Sequence, residues 1–96
     1  MQEWRVKLDP LFERNLKAIS SRSVKKNLND RIKRLKENPH AGKQLRPPYD
    51  HLWEIKIGKF RLYYEIWEKQ HIIMLKAFYS RKLQKRYLRG KITQVF

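Results

Sequence analysis

From Trp4 to Leu8 apolar and charged residues alternate, with Trp4, Val6 and Leu8 on one side and Arg5 and Lys7 on the other, which predicts a first strand. Asp9-Pro10 then reads as a helix start, a carboxylate at the N-cap followed by a proline at the first helical position. This helix extends to about Ile19 and buries Leu11, Phe12, Leu16 and Ile19. Ser20 to Ser23 form a break, with Ser23 as the second N-cap. Val24, Leu28, Ile32 and Leu35 follow on one helical face, and Asn38-Pro39 ends that helix. The two helices are close enough in sequence to form an antiparallel hairpin.

Residues 39–50 show no period and hold three of the four prolines, so they read as a loop. The stretch HLWEIKIGKFRLYYEIW after it predicts a β-hairpin turning at Gly58-Lys59, where glycine in first place marks a type II′ turn. That turn sets Ile57 opposite Phe60, Lys56 opposite Arg61, Ile55 opposite Leu62 and Glu54 opposite Tyr63. One face then carries Trp53, Ile55, Ile57, Phe60, Leu62, Tyr64 and Ile66, and belongs to the core. The other carries Glu54, Lys56, Arg61, Tyr63 and Glu65, a charged and aromatic face available for function. Ile72 to Tyr79 is apolar on both faces, as a central strand requires. Ser80 offers an N-cap for a short helix through about Arg89, closed by Gly90.

These elements make one α+β domain: an N-terminal strand, a helical hairpin packed on a mostly antiparallel four-stranded sheet, and a short C-terminal helix. The domain spans residues 1–90, with 91–96 as a tail. Charge adds what periodicity cannot. Twenty-four Lys and Arg against nine Asp and Glu leave a net charge of +15 on 96 residues, which calls for a polyanion or an acidic partner. With 41% hydrophobic residues, this is a folded basic domain and not a disordered tail. No cysteine is present, so disulfides, thiolate metal sites and cysteine nucleophiles are excluded. His40, His51 and His71 lack ligand spacing, so no metal or other cofactor is expected. The longest aliphatic run, Ile72 to Leu75, is far short of a membrane span, and a cytoplasmic setting is expected.

Two clusters carry candidate chemistry. After Glu68 no acidic residue follows, yet Lys69, Lys76, Arg81, Lys82, Lys85, Arg86, Arg89 and Lys91 do. Arg81 would sit in the first turn of a helix, where the macrodipole disfavours cations unless an anion docks there. The plain alternative is a solvated basic face. Lys56 and Arg61 form a like-charged cross-strand pair, normally unfavourable. It is either a phosphate seat, with arginine forking the oxygens, or a pair offset by Glu54 and Glu65.

The element order, with LWEIKIGKFRLYYEI and then FYSRKLQKRY, resembles the RelE/ParE toxin superfamily of toxin–antitoxin systems over residues 2–88. The resemblance implies a small toxin neutralised by an acidic antitoxin, with which it forms a hetero-oligomer. In its RelE-type branch it implies a metal-free endoribonuclease that cuts messenger RNA on the ribosome, by attack of a 2′-hydroxyl on the adjacent phosphate. ParE-type members share the fold, lack the catalytic set and poison DNA gyrase. The arginine of the family's strand motif falls on Arg61, and the basic place on the preceding strand falls at Glu54 or Lys56. The C-terminal basic residue and the tyrosine after it fall on Arg81 and Tyr87. RelE-type members have two lysines on that preceding strand, and here the first place is Glu54. That change implies either a lost phosphate contact or a carboxylate general base, so the 2′-hydroxyl proton goes to Glu54 or Lys56, with Lys56 and Arg61 binding the scissile phosphate. Lys59, Lys82, Lys85 and Arg86 are expected to attract RNA.

Overall fold

A computed structural model describes residues 3–80. Strand β1 (Arg5–Leu8) leads into helix α1 (Pro10–Lys17) and helix α2 (Arg22–Glu37). A single 3-10 turn (Pro39–Ala41) and a two-residue strand β2 (Lys43–Gln44) follow, then β3 (Trp53–Ile57), β4 (Phe60–Trp67) and β5 (Ile72–Ser80). Among the described residues the strands form one sheet in the order β1-β5-β4-β3-β2. β1 runs parallel to β5 and every other pair is antiparallel. The expected class therefore holds, with a fifth strand. β2 lies within the stretch read as a loop, because two residues are too few to show alternation.

The helix starts follow local chemistry. Asp9 caps α1, its Oδ1 accepting from the Leu11 N–H at 2.9 Å, and Pro10 occupies the first turn. α2 is capped by Ser21, whose Oγ accepts from the Val24 N–H at 3.3 Å. The cap was expected at Ser23, but Ser21 has the extended backbone that a cap needs, and Ser23 lies inside the helix. The hairpin register is the one the sequence predicts, from Ile57↔Phe60 to Glu54↔Tyr63. Gly58 has φ 60, the left-handed value required at the first position of this turn.

Phe12, Leu28 and Leu35 from the helices meet Ile55, Ile57, Leu62, Tyr64, Ile73, Leu75 and Phe78 from the sheet in one buried core. Strict alternation cannot deliver this set, because Leu75 and Phe78 are an odd number of residues apart. β5 resolves the conflict with a bulge: Tyr63 pairs with Ala77 and Tyr64 with Leu75, so Lys76 faces no partner on β4. The Lys76 Nζ reaches the Asp9 Oδ2 at 2.9 Å. Asp9 thus caps α1 and neutralises the bulge residue, while its N–H donates to the Leu75 carbonyl at 2.9 Å.

The 3-10 turn is tied to the sheet by Tyr64. Its hydroxyl donates to the Pro39 carbonyl at 2.7 Å and accepts from the Gly42 N–H at 3.1 Å. A Cβ on Gly42 would fall 2.5 Å from that hydroxyl, so glycine is required for the close approach. Burial raises the Tyr64 pKa from 10.0 to about 12, the Gly42 hydrogen bond opposing part of the rise. Tyr64→Phe leaves the Gly42 N–H and the Pro39 carbonyl without this partner and should cost about 2 kcal/mol in urea unfolding at neutral pH. The unfolded phenol ionises first, so the share of stability held by keeping Tyr64 neutral is full below pH 10.0 and lost as the pH rises towards about 12. The gap between wild type and Tyr64→Phe should therefore narrow over that window. A constant gap would contradict this role.

Candidate functional site

The hairpin register lines up two rows of side chains on the sheet face opposite the main core. Lys43, Glu54, Tyr63 and Ala77 form one row across β2, β3, β4 and β5. Lys56, Arg61 and Tyr79 form the next. Glu54, Lys56 and Arg61 are therefore neighbours, as the sequence predicted. Lys59, in the turn, is exposed at the end of the same hairpin. Arg81, Lys82, Lys85, Arg86 and Tyr87, with the C-terminal helix expected to carry them, lie outside the described residues. Ser80, expected to cap that helix, is the last residue of β5.

This face is less open than alternation suggested. Tyr63 is fully buried, packed with Leu52 and Ala77 and bordered by Leu11, Leu45 and Tyr79. The 45–52 segment is folded back on itself by hydrogen bonds from the Leu45 N–H to the Leu52 carbonyl, 3.0 Å, and from the Leu52 N–H to the Tyr49 carbonyl, 2.9 Å. Through Leu45 and Leu52 it covers the Tyr63 end of the face. Ala77 opposite Tyr63 leaves room for the ring. The expected charged and aromatic surface shrinks to the Lys56–Arg61 end, and Tyr63 is a packing residue.

Within that end the charges are unequal in exposure. Arg61 is only 8% exposed, the sole charged residue among the buried ones described. Its Nε lies 3.6 Å from the Glu54 Oε1 and makes no hydrogen bond. Both side chains of this pair are largely withdrawn from water, so their attraction is little screened. Lys56 stands exposed beside them. The like-charge conflict between Lys56 and Arg61 is offset by Glu54. Glu65, the other carboxylate expected to help, instead accepts from the Trp67 Nε1–H at 3.0 Å. The arrangement supplies a carboxylate held beside a buried guanidinium, with an exposed ammonium on the same face. Such a set can take a proton and hold an anion side by side.

Lys43 and Tyr79 were not singled out from the sequence. Lys43 lies in the stretch without period, and Tyr79 became part of the face only through the register beyond the bulge. Among the described residues no three His, Asp or Glu side chains are grouped so as to hold a metal ion. Nor is any helix there long and apolar enough to cross a membrane.

The sequence signature of the ParE toxins of type II toxin–antitoxin systems (parDE) matches residues 6–84. The chain belongs to this toxin family. It is similar in fold to the RelBE2 toxin–antitoxin complex of Mycobacterium tuberculosis, with a TM-score of 0.73 and 20% identity over 83% of this chain and 100% of that one. The isolated RelE toxin of E. coli superposes with a TM-score of 0.66 and 18% identity, covering 97% of this chain and 99% of that one. YafQ of E. coli gives a TM-score of 0.70 at 11% identity, covering 84% and 97%. No curated protein sequence matches. The toxin is thus placed in the RelE/ParE superfamily by both sequence and fold.

Removing one partner of the Glu54–Arg61 pair strands the other in a poorly solvated place. Arg61→Ala should destabilise the toxin by about 3 kcal/mol, and adding Glu54→Gln should restore part of the loss. Urea melts of the two single variants and the double variant measure this coupling; strict additivity would mean the pair does not interact.

Proposed function

We propose that this toxin is a ribosome-dependent endoribonuclease of the RelE type, cutting messenger RNA without a metal. The observation that carries the reading is the convergence of Glu54, Lys56 and Arg61 at one end of a sheet face. Glu54 takes the proton of a 2′-hydroxyl as the 2′-oxygen forms its bond to the adjacent phosphorus. The bond from phosphorus to the 5′-oxygen breaks, and that oxygen takes up a proton. The products are a 2′,3′-cyclic phosphate and a 5′-hydroxyl. Lys56, the exposed cation, meets the phosphate oxygens where negative charge builds up. Arg61 sits too deep to fork a phosphate in this arrangement. Its role is to hold the Glu54 carboxylate and to add positive potential behind it. Arg81 and Tyr87 complete the set by the family resemblance, as a charge-stabilising group and an RNA-orienting ring. Lys59, Lys82, Lys85 and Arg86 attract the strand.

One domain of 96 residues offers too little surface to align a flexible RNA by itself, which is why the ribosome is part of the proposal. The neutralising partner is an acidic antitoxin segment that folds on contact, matching the +15 charge. Its apolar residues have a place to go: a cavity of 390 Å³ between the α1–α2 connection and the sheet, lined by Ile19, Val24, Phe60 and Phe78. The relative from M. tuberculosis is itself a toxin–antitoxin complex. The toxin acts in the cytoplasm, where ribosomes and messenger RNA are found.

A second reading is favoured by the sequence signature, which is that of ParE toxins, and by the burial of Arg61. In it the chain inhibits DNA gyrase and the Glu54–Arg61 pair is structural. Purified toxin added to programmed ribosomes separates the two. Cleaved messenger RNA with cyclic-phosphate ends should accumulate, and much more slowly on naked RNA. Glu54→Gln should lower the single-turnover rate by about 10²–10³-fold and Lys56→Ala by a similar factor. Intact messenger RNA at saturating toxin would leave the gyrase reading.

A further inference from the structure

His71 is the one non-glycine residue with positive φ among those described, at 55. It ends the β4–β5 turn, its N–H donating to the Glu68 carbonyl at 3.3 Å and its carbonyl accepting from the Arg5 N–H at 2.9 Å. Positive φ is uncommon outside glycine, and histidine is among the few residues, with asparagine and aspartate, that adopt it readily. Its ring is stacked on Trp4 with centroids 4.7 Å apart and planes at 28°, and its Nδ1 is buried without a hydrogen-bond partner. The two rings line a cleft of 850 Å³, with Arg5 from β1, Lys36 from the end of α2, Lys69 from the turn and Glu3 at the rim.

Two exposed lysines, one from the end of α2 and one from the β4–β5 turn, border the cleft that the stacked ring pair lines. Resting on the RNA reading of the main site, we propose that this cleft is a second RNA-binding site, one that seats a phosphodiester beside a base or ribose. Lys36 and Lys69 meet the phosphate, and the Trp4–His71 pair meets the planar part of the nucleotide. Glu3 accepts from a ribose hydroxyl or a base amino group. A nucleotide joins a planar ring to a phosphate in one unit, which matches rings and lysines set side by side in this lining. β4 separates the cleft from Arg61 by six residues, roughly 20 Å along the strand. The cleft also opens towards the helix layer, whereas Glu54 and Arg61 lie on the opposite sheet face. One short single strand cannot easily serve both. The second site therefore takes a separate RNA segment, which ties the toxin to a structured RNA while the first works on the scissile strand.

The test uses the full chain and a short 2′-O-methyl oligoribonucleotide, which it can bind but not cleave, with fluorescence anisotropy read over a range of KCl concentrations. Lys36→Ala/Lys69→Ala, both exposed positions, should weaken binding about tenfold at low salt and flatten the salt dependence by about one phosphate's worth. His71→Asn, which tolerates the same backbone conformation, should weaken binding about fivefold with the salt slope kept and the thermal melt unchanged. Unaltered RNA affinity in both variants overturns the proposal, as does a loss confined to binding of polyglutamate, which would make the cleft a seat for an acidic protein. Wild-type protein that binds RNA while the variants match it overturns this site alone. Wild-type protein that fails to bind this RNA also overturns the second site, while cleavage on programmed ribosomes decides the main-site reading separately.

Discussion

Ile73, Leu75 and Phe78 must all face the helices, yet a regular strand would turn Leu75 away from Phe78, so β5 has to spend one residue out of register. That residue is Lys76. A lysine is a poor residue to trap beneath a helix, and its pairing with Asp9 makes the bulge tolerable. Asp9 in turn closes β1, caps α1 and donates its N–H to Leu75, so one carboxylate joins the parallel strand, the helix start and the bulge. Placement of the helices on the sheet depends on this junction. So does the alignment of Ala77 and Tyr79 with the candidate rows on the other face.

The bulge also explains why a small protein can afford a buried arginine. Beyond it, Ala77 leaves space for Tyr63, and Leu52 and Leu45 close over that end of the sheet. Arg61 is drawn into the same partly dry region and is held there by Glu54. A pair of this kind contributes little net stability over an apolar replacement, because desolvation offsets most of its attraction. It does give the carboxylate a fixed direction beside an exposed lysine. That direction is what the proposed roles of Glu54 and Lys56 rest on.

The hairpin was legible in the sequence because Gly58-Lys59 fixes a turn type, and the turn type fixes every pair after it. The same turn brings Glu54, Lys56 and Arg61 onto one face. Depth was not legible: alternation assigns a face but cannot show that Leu45 and Leu52, from a stretch without period, will cover Tyr63. The bulge was hidden for a related reason. A run such as 72–79, apolar on both faces apart from Lys76, fits either register, and a lone lysine reads equally well as an ordinary outward residue or as a bulge. Ser21 and Ser23 are chemically alike, and only the backbone decides which one caps.

The family and the fold leave two ways to arrest a cell, and they differ in which synthesis stops first. Incorporation of labelled amino acid and of labelled thymidine, followed in parallel after induction of the wild-type toxin, reads this directly. Messenger RNA cleavage predicts an immediate fall in amino-acid incorporation with thymidine following later, and no such fall in a Glu54→Gln strain with equal toxin levels. Early loss of thymidine incorporation with protein synthesis intact, unchanged by Glu54→Gln, would contradict the account.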